Sequence, residues 1–172
     1  NPMVVRIAGL GYQRGFGGHF HNDNSITPLR DIPGMVVGCA SRGDDAAMML
    51  RTLTALAKVD GRVSVFLEPI ALYMTKDLHA PGDGLWLTEY PAPDRALVLG
   101  EERVYNAEAT DCVIFSYGNG MPMSLRAARE IERKHGWKVR VVDLRWLVPL
   151  NHVAIAKHAR ECKRILVVDE GR

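Results

Sequence analysis

Met35-Val36-Val37-Gly38-Cys39-Ala40, the stretch from Ser41 to Lys58, and Val63-Ser64-Val65-Phe66-Leu67-Glu68 decide the fold of this chain. The two outer segments are short, continuous apolar runs, the pattern of strands buried on both faces. Between them Ala46, Met49, Leu50, Leu53, Leu56 and Ala57 recur at the spacing of one helical face, which predicts a helix from about Asp44 to Lys58. Ser41-Arg42-Gly43-Asp44 has the form of a capping box at its start, and Asp60-Gly61 ends it. A buried strand, an amphipathic helix and a second buried strand make a right-handed parallel crossover, the unit of an α/β protein.

The reading extends outward in both directions. Upstream, Met3 to Ala8 is a further buried strand. After it comes Gly15-Phe16-Gly17-Gly18-His19-Phe20-His21-Asn22-Asp23-Asn24-Ser25, then Thr27 to Gly34, a loop or short broken helix with two prolines. Downstream, Pro69, Pro81, Gly82, Gly84, Pro91 and Pro93 break the pattern. Residues 69–95 read as an interdomain linker, with Leu72, Tyr73, Leu85, Trp86 and Tyr90 giving it packing of its own. A second α/β unit follows. Ala96 to Gly100 and Arg103 to Tyr105 are candidate short strands, and Cys112 to Tyr117 is a buried one. Gly118-Asn119-Gly120 reads as a tight turn into a helix with Pro122 in its first turn and Met123, Ala127, Ala128 and Ile131 on one face. His135-Gly136 ends that helix, and Lys138 to Leu144 is the next strand. Asn151 can cap a short helix carrying Val153, Ile155, Ala156 and Ala159, and 164–169 is a last strand. The division is residues 1–68, a linker 69–95, and residues 96–172. Because the chain opens and closes on strands, it reads as a fragment of a longer polypeptide.

Composition narrows the function classes. The 172 residues suffice for one ordinary domain or two small or incomplete ones. A net charge of +2 with interspersed signs offers no basic stripe for nucleic acid. The apolar runs are too short to span a membrane, and no signal peptide is visible at the start. Cys39, Cys112 and Cys162 are far apart and odd in number, with no C-x-x-C. Buried reduced thiols in a reducing, cytoplasmic compartment fit that usage.

The chemistry-bearing residues concentrate in the glycine and histidine stretch. Glycines admit close backbone approach, and histidine exchanges protons near neutral pH. A loop of solvated histidines is the plain alternative. His19 and His21 lie two apart, so on a strand they would share a side, a spacing open to metal. No cysteine or third histidine is near in sequence, and Asp23 is slight support. Proton transfer needs just one histidine in a dry pocket. The Gly15-x-Gly17-Gly18 pattern is neither a P-loop nor a dinucleotide fingerprint. The helix start after Gly118-Asn119-Gly120 could hold an anion or be a simple turn. Glu68 at a strand end reads as a linker anchor sooner than as a catalyst, and Asp143-Leu144-Arg145 as an ion pair or backbone anchor.

Taken in order, these motifs carry a resemblance. His21-Asn22-Asp23 with Pro33-Gly34 and the strand after it, Phe66-Leu67-Glu68-Pro69 with Leu72-Tyr73, Ser116-Tyr117-Gly118, Val142-Asp143-Leu144-Arg145, Pro149-Leu150 and Val167-Val168-Asp169-Glu170 resemble the β subunit of 2-oxo acid dehydrogenase E1 components. The resemblance implies a parallel α/β sheet forming the second half of a thiamine pyrimidine-binding domain, then part of a transketolase C-terminal-like α/β domain. It implies an oxidoreductase that uses thiamine diphosphate and Mg2+ to decarboxylate a 2-oxo acid and passes the acyl group to lipoyl-E2. The cofactor and metal would be held mainly by parts of the parent protein outside this chain, so the fragment alone is expected to be inactive. The partners implied are an E1 α-like domain or subunit, the lipoyl domain of E2, and a homo- or hetero-oligomer, in the cytoplasm or, in a eukaryote, the mitochondrial matrix. His21 matches the family histidine beside the thiazolium, with hydrogen bonding and proton delivery as its role. Asp23 would support the loop, and His19 inherits no role. Another transketolase-like thiamine enzyme, or a non-catalytic assembly module on the same fold, is the alternative.

Overall fold

The computed structural model describes residues 1–12 and 26–170. The elements in chain order are β1 (Met3–Gly9), α1 (Ile26–Arg30), β2 (Val36–Cys39), α2 (Gly43–Asp60), β3 (Val63–Pro69), a 3-10 turn (Ile70–Leu72), β4 (Arg103–Tyr105), β5 (Cys112–Ser116), α3 (Gly120–His135), β6 (Val139–Asp143), β7 (Trp146–Val148), α4 (His152–Glu161) and β8 (Ile165–Val167). They form two four-stranded sheets, ordered β1-β3-β2-β7 and β4-β6-β5-β8. In the first, β1, β3 and β2 are parallel, with Val5 opposite Val65 and Val37 opposite Val65 from the other side. In the second, β6, β5 and β8 are parallel and β4 is antiparallel to β6.

The deciding stretch folds as its pattern requires. Val36, Val37, Cys39, Val65, Phe66 and Leu67 are all buried. Met49 and Leu53 of α2 are fully enclosed, with Ala46, Leu50 and Leu56 packed beside them. Gly61 stops α2 in the left-handed conformation at φ +69°, its N–H returning to Leu56 O. The start of α2 differs from the capping box. Ser41 makes no cap there, and of the backbone N–H groups Asp44 accepts only that of the adjacent Asp45, at 2.9 Å. Thr88, from the proline-rich segment, accepts the Asp44 N–H through Oγ1 at 3.1 Å, because Asp44 is drawn outward to the Arg103 guanidinium.

The fourth strand of the first sheet comes from far downstream. β7 pairs antiparallel with β2, Val148 opposite Val37 and Trp146 opposite Gly38. Trp146 is 1% exposed and shares a core with Val36, Met49, Leu53, Phe66 and Leu97. Burying an aromatic of this size stabilises by roughly 2–3 kcal/mol. Gly38 makes the approach possible, since a Cβ there would stand 3.3 Å from the Trp146 ring.

Residues 69–95 are stitched down more by polar contacts than by apolar packing. Trp86 enters the core of the second sheet beside Ile114, Met121 and Val141, with the Arg42 guanidinium 5.1 Å from its ring. Arg51 of α2 donates to Ala92 O and Arg95 O at 2.6 Å and to Pro91 O at 3.1 Å. Tyr73, Leu85 and Tyr90 stay exposed, contrary to the sequence expectation. Ala96 to Gly100 is irregular, although Leu97 is buried. On α3 the inward face is Met121, Ser124, Leu125, Ala128 and Ile131, displaced by two residues from the expected Met123 at its start. Asn151 caps α4 as predicted, accepting the Ala154 N–H at 3.0 Å, but the helix buries His158 and exposes Val153. β1 and β8 are edge strands with exposed apolar side chains, among them Met3, Val5, Ile165 and Val167.

Candidate functional site at the strand ends

In open parallel α/β sheets, ligands bind outside the carboxyl ends of the strands, where loops diverge. Here the loops that leave β1, β3, β5 and β8 meet. The Gly118 Cα approaches closely enough that a Cβ would lie 3.1 Å from Cys39 Sγ, 3.4 Å from Leu10 and 3.4 Å from Pro69. Its φ of +53° is one that glycine adopts without cost.

The chain leaves β1 through a constrained turn. Leu10 and Tyr12 have φ of +66° and +64°, which costs about 1–2 kcal/mol for each side chain. Between them, Gly11 donates its N–H to Glu170 Oε1 at 2.6 Å. Asn119 Nδ2 donates to Gly11 O at 3.0 Å and to Glu170 Oε1 at 2.9 Å. Asn119 is 2% exposed. The Gly118-Asn119-Gly120 turn is therefore a three-way junction, and its asparagine is turned toward Glu170 and Gly11 instead of capping α3. Next to it, Tyr117 donates its hydroxyl to Asp169 Oδ1 at 2.5 Å, and Ser116 Oγ donates to Val168 O at 2.9 Å. Burial, reinforced by the hydrogen bond to Asp169, raises the Tyr117 phenol and keeps it protonated.

Glu68, at the end of β3, accepts from the Arg6 guanidinium and from Tyr73 OH at 2.5 Å. The hydrogen bond from Arg6 holds its carboxyl below the ordinary range, while burial and the acceptor carboxylate push Tyr73 to about 12. Glu68 thus ties β1 to the start of the proline-rich segment, the anchoring role expected of it. Asp143-Leu144-Arg145 is more than a local anchor. Arg145 reaches back to α2 and grips Asp45 with two donors, Nε to Oδ2 at 3.1 Å and Nη2 to Oδ1 at 2.8 Å. Arg103 adds a third, at 2.8 Å. Burial raises the Asp143 carboxyl to about 7.

Two clefts open beside this junction. One, of about 750 Å³, is lined by Tyr12, Ile70, Lys76, Asn119 and Arg126. The other, of about 470 Å³, is lined by Ile26, Arg30, Tyr117, Leu147 and Asp169. His19, His21 and Asp23 lie outside the described residues. Tyr12 and Ile26, the described residues on either side of them in sequence, line different clefts. Among the described residues, no group of three or more His, Cys, Asp or Glu is placed to hold a metal ion. The sequence reading missed the pairing of Asn119 and Glu170 and that of Asp45 and Arg145. Their partners are 51 and 100 residues apart, and no local pattern joins them.

The fold is shared with solved structures of transketolase-like architecture. Residues 101–172 match the family "Transketolase, C-terminal domain". A split-gene transketolase, solved as an inactive β4 tetramer, superposes with a TM-score of 0.66 at 22% identity, covering 96% of this chain and 47% of that one. A 2-oxoglutarate:ferredoxin oxidoreductase from Magnetococcus marinus gives 0.62 at 14% identity, covering 96% and 41%. Along its whole length the chain is homologous to β subunits of 2-oxo acid dehydrogenase E1 components. It is 31% identical to the 3-methyl-2-oxobutanoate dehydrogenase subunit beta of Mycobacterium tuberculosis over 99% of this chain and 44% of the relative. It is 29% identical to the pyruvate dehydrogenase E1 subunit beta of Staphylococcus epidermidis, over 99% and 47%. The 2-oxoisovalerate dehydrogenase subunit beta of Bacillus subtilis is also 29% identical, over 98% and 46%. The chain spans less than half the length of these relatives. Among the described residues, no helix is long and apolar enough to cross a membrane.

Proposed function

We propose that this chain is the part of a thiamine diphosphate-dependent 2-oxo acid dehydrogenase E1 that presents His21 to the reacting centre. The observation that carries the reading is similarity to E1 β subunits across 99% of the chain, beside the ordered series of motifs in its sequence. The meeting of the motif residues Pro69, Gly118 and Glu170 at one strand-end junction supports it. Thiamine diphosphate supplies the electron sink for decarboxylation when bound. It and Mg2+ would be held mainly by residues outside this chain, as the resemblance implies. No step is drawn through them. What the chain itself contributes is a histidine that hydrogen-bonds at the reacting centre and delivers a proton as the acyl group passes to the lipoyl arm of E2. Asp23 supports the segment that carries it, and His19 has no part in the chemistry. An E1 α-like domain or subunit would complete the site. The division into residues 1–68, 69–95 and 96–172 belongs to the same reading, as does a reducing compartment, which the three buried free cysteines support.

The test is made in the complete protein with its cofactor and a lipoyl acceptor. His21→Ala should lower acyl transfer by about 100-fold or more, the scale of a lost general acid, and His19→Ala should be much milder. Wild-type transfer by His21→Ala would end the proposal. Turnover of sugar phosphates without any lipoyl acceptor would assign the chain to a transketolase instead.

A further inference from the structure

Both polar groups of one peptide residue, Gly11, are held by side chains of the downstream unit. Its N–H goes to Glu170, beyond β8, and its C=O to Asn119, between β5 and α3. The two holders are bonded to each other through Asn119 Nδ2 and Glu170 Oε1 at 2.9 Å. A Cβ on residue 11 would stand 2.8 Å from Glu170 Oε1, so a larger residue here would displace the carboxylate from the Gly11 N–H. The residues on both sides, Leu10 and Tyr12, take positive φ, so the backbone turns sharply where it is gripped. Leu10 is at the same time locked by burial against Val37, Val65 and Tyr117. The direction in which the chain departs from β1 is therefore set by groups 108 and 159 residues downstream.

We propose that Asn119 and Glu170 are positioning residues, which fix through Gly11 the point and direction from which the segment bearing His21 leaves the sheet. The assignment rests on the function proposed above for His21. The clamp acts on the described backbone at Leu10 to Tyr12, ahead of the segment that bears His21. A clamp of this kind acts by geometry, and a displacement of about 1 Å at a reacting group is enough for a rate loss of about 100-fold.

The experiment uses the complete protein with cofactor and lipoyl acceptor, in the variants Glu170→Ala, Glu170→Gln, Asn119→Ala and His21→Ala. Two readouts are taken. The first is hydrogen exchange of the peptide containing Gly11, which needs no turnover. The second is kinetics of lipoyl acylation beside decarboxylation measured with an artificial electron acceptor. In Glu170→Ala and Asn119→Ala, exchange at Gly11 should accelerate. kcat for acylation should fall by about 10- to 100-fold, with the KM for the 2-oxo acid and dye-coupled decarboxylation close to wild type. Glu170→Gln retains an oxygen that accepts from both Gly11 and Asn119, so it should restore both readouts. Wild-type exchange in Glu170→Ala would overturn the clamp. Fast exchange with full acylation, alongside an inactive His21→Ala, would overturn its positioning role and leave the proposed function standing. Failure of Glu170→Gln to recover would show that charge, not the grip on Gly11, is what matters, and would overturn it as well. Full activity in His21→Ala would instead remove the functional reading on which the assignment rests.

Discussion

Replacing Arg145 by methionine removes the strongest polar tie between the two halves of the chain. Asp45 has a fully buried side chain, and that of Arg145 is 4% exposed. Arg145 gives Asp45 two of its three guanidinium hydrogen bonds, leaving Arg103 as the remaining partner at 2.8 Å. Hydrogen bonds to a charged group contribute about 1.5–3 kcal/mol each. Removing one partner of a buried pair costs about 3–5 kcal/mol, because the carboxylate stays in a poor environment. Methionine fills most of the vacated volume, so the loss is electrostatic and not a cavity effect. At 2–4 °C per kcal/mol for a chain of this size, the unfolding midpoint should fall by about 10 °C in differential scanning calorimetry. Arg145→Lys should lose about half as much, since an ammonium cannot grip both carboxylate oxygens in the same fork. The double variant Asp45→Asn with Arg145→Met should be more stable than Arg145→Met alone, because the stranded charge is gone. A fall of less than about 3 °C for Arg145→Met, or strictly additive losses in the double variant, would refute the account.

Two further predictions follow from packing and titration. Gly120→Ala would place a Cβ 2.0 Å from Ser116 Oγ, so it should cost about 1–3 kcal/mol. Adding Ser116→Ala should recover part of that loss in urea midpoints, and no recovery would mean that the clash lies elsewhere. Burial raises the Asp143 carboxyl to about 7 in the folded chain, against an ordinary value of about 4. The folded state therefore binds this proton more tightly than the unfolded state. The stability this contributes is complete below about pH 4 and is lost as pH rises through about 7. Asp143→Asn keeps an oxygen for the Arg145 N–H, which Asp143 Oδ1 accepts at 3.2 Å, and abolishes the titration. Its midpoint should vary less between about pH 5 and 8 than that of the parent, and an unchanged slope would count against it.

The strands and helices were legible where a local period determined them. The run Val36 to Cys39, the face of Met49 and Leu53, and the stop at Gly61 follow from burial on two faces, a 3.6-residue repeat and a positive φ. Trp146 was not legible as a strand residue of the first sheet. β7 has just three residues, and its reason for being a strand is the open edge of β2 more than 100 residues earlier. The capping box at Ser41 failed because Asp44 found a stronger partner in Arg103. The inward face of α3 was misplaced at its first turn because Met121 and Met123 are equally apolar, and tertiary packing chose Met121. For the candidate site, the sequence marked the Gly118 turn and the Glu68 strand end but not their union, while His21 and Asp23 lie outside the described residues. Asn119 looked like a turn residue and Glu170 like the end of a strand, and their shared hold on Gly11 exists just in three dimensions.

The antiparallel pairing of β7 with β2 also has a consequence for how the protein is made. A chain emerging from the ribosome has β1, β2 and β3 available after residue 69, yet the edge of β2 stays open until Trp146 to Val148 arrives. At about 5–20 residues per second that wait lasts several seconds. Through it, a fully apolar strand edge is available to any other nascent chain. The upstream sheet is finished by the same stretch that carries Arg145, so closure of the edge and the grip on Asp45 arrive together. Production of the upstream residues alone would make that transient exposure permanent.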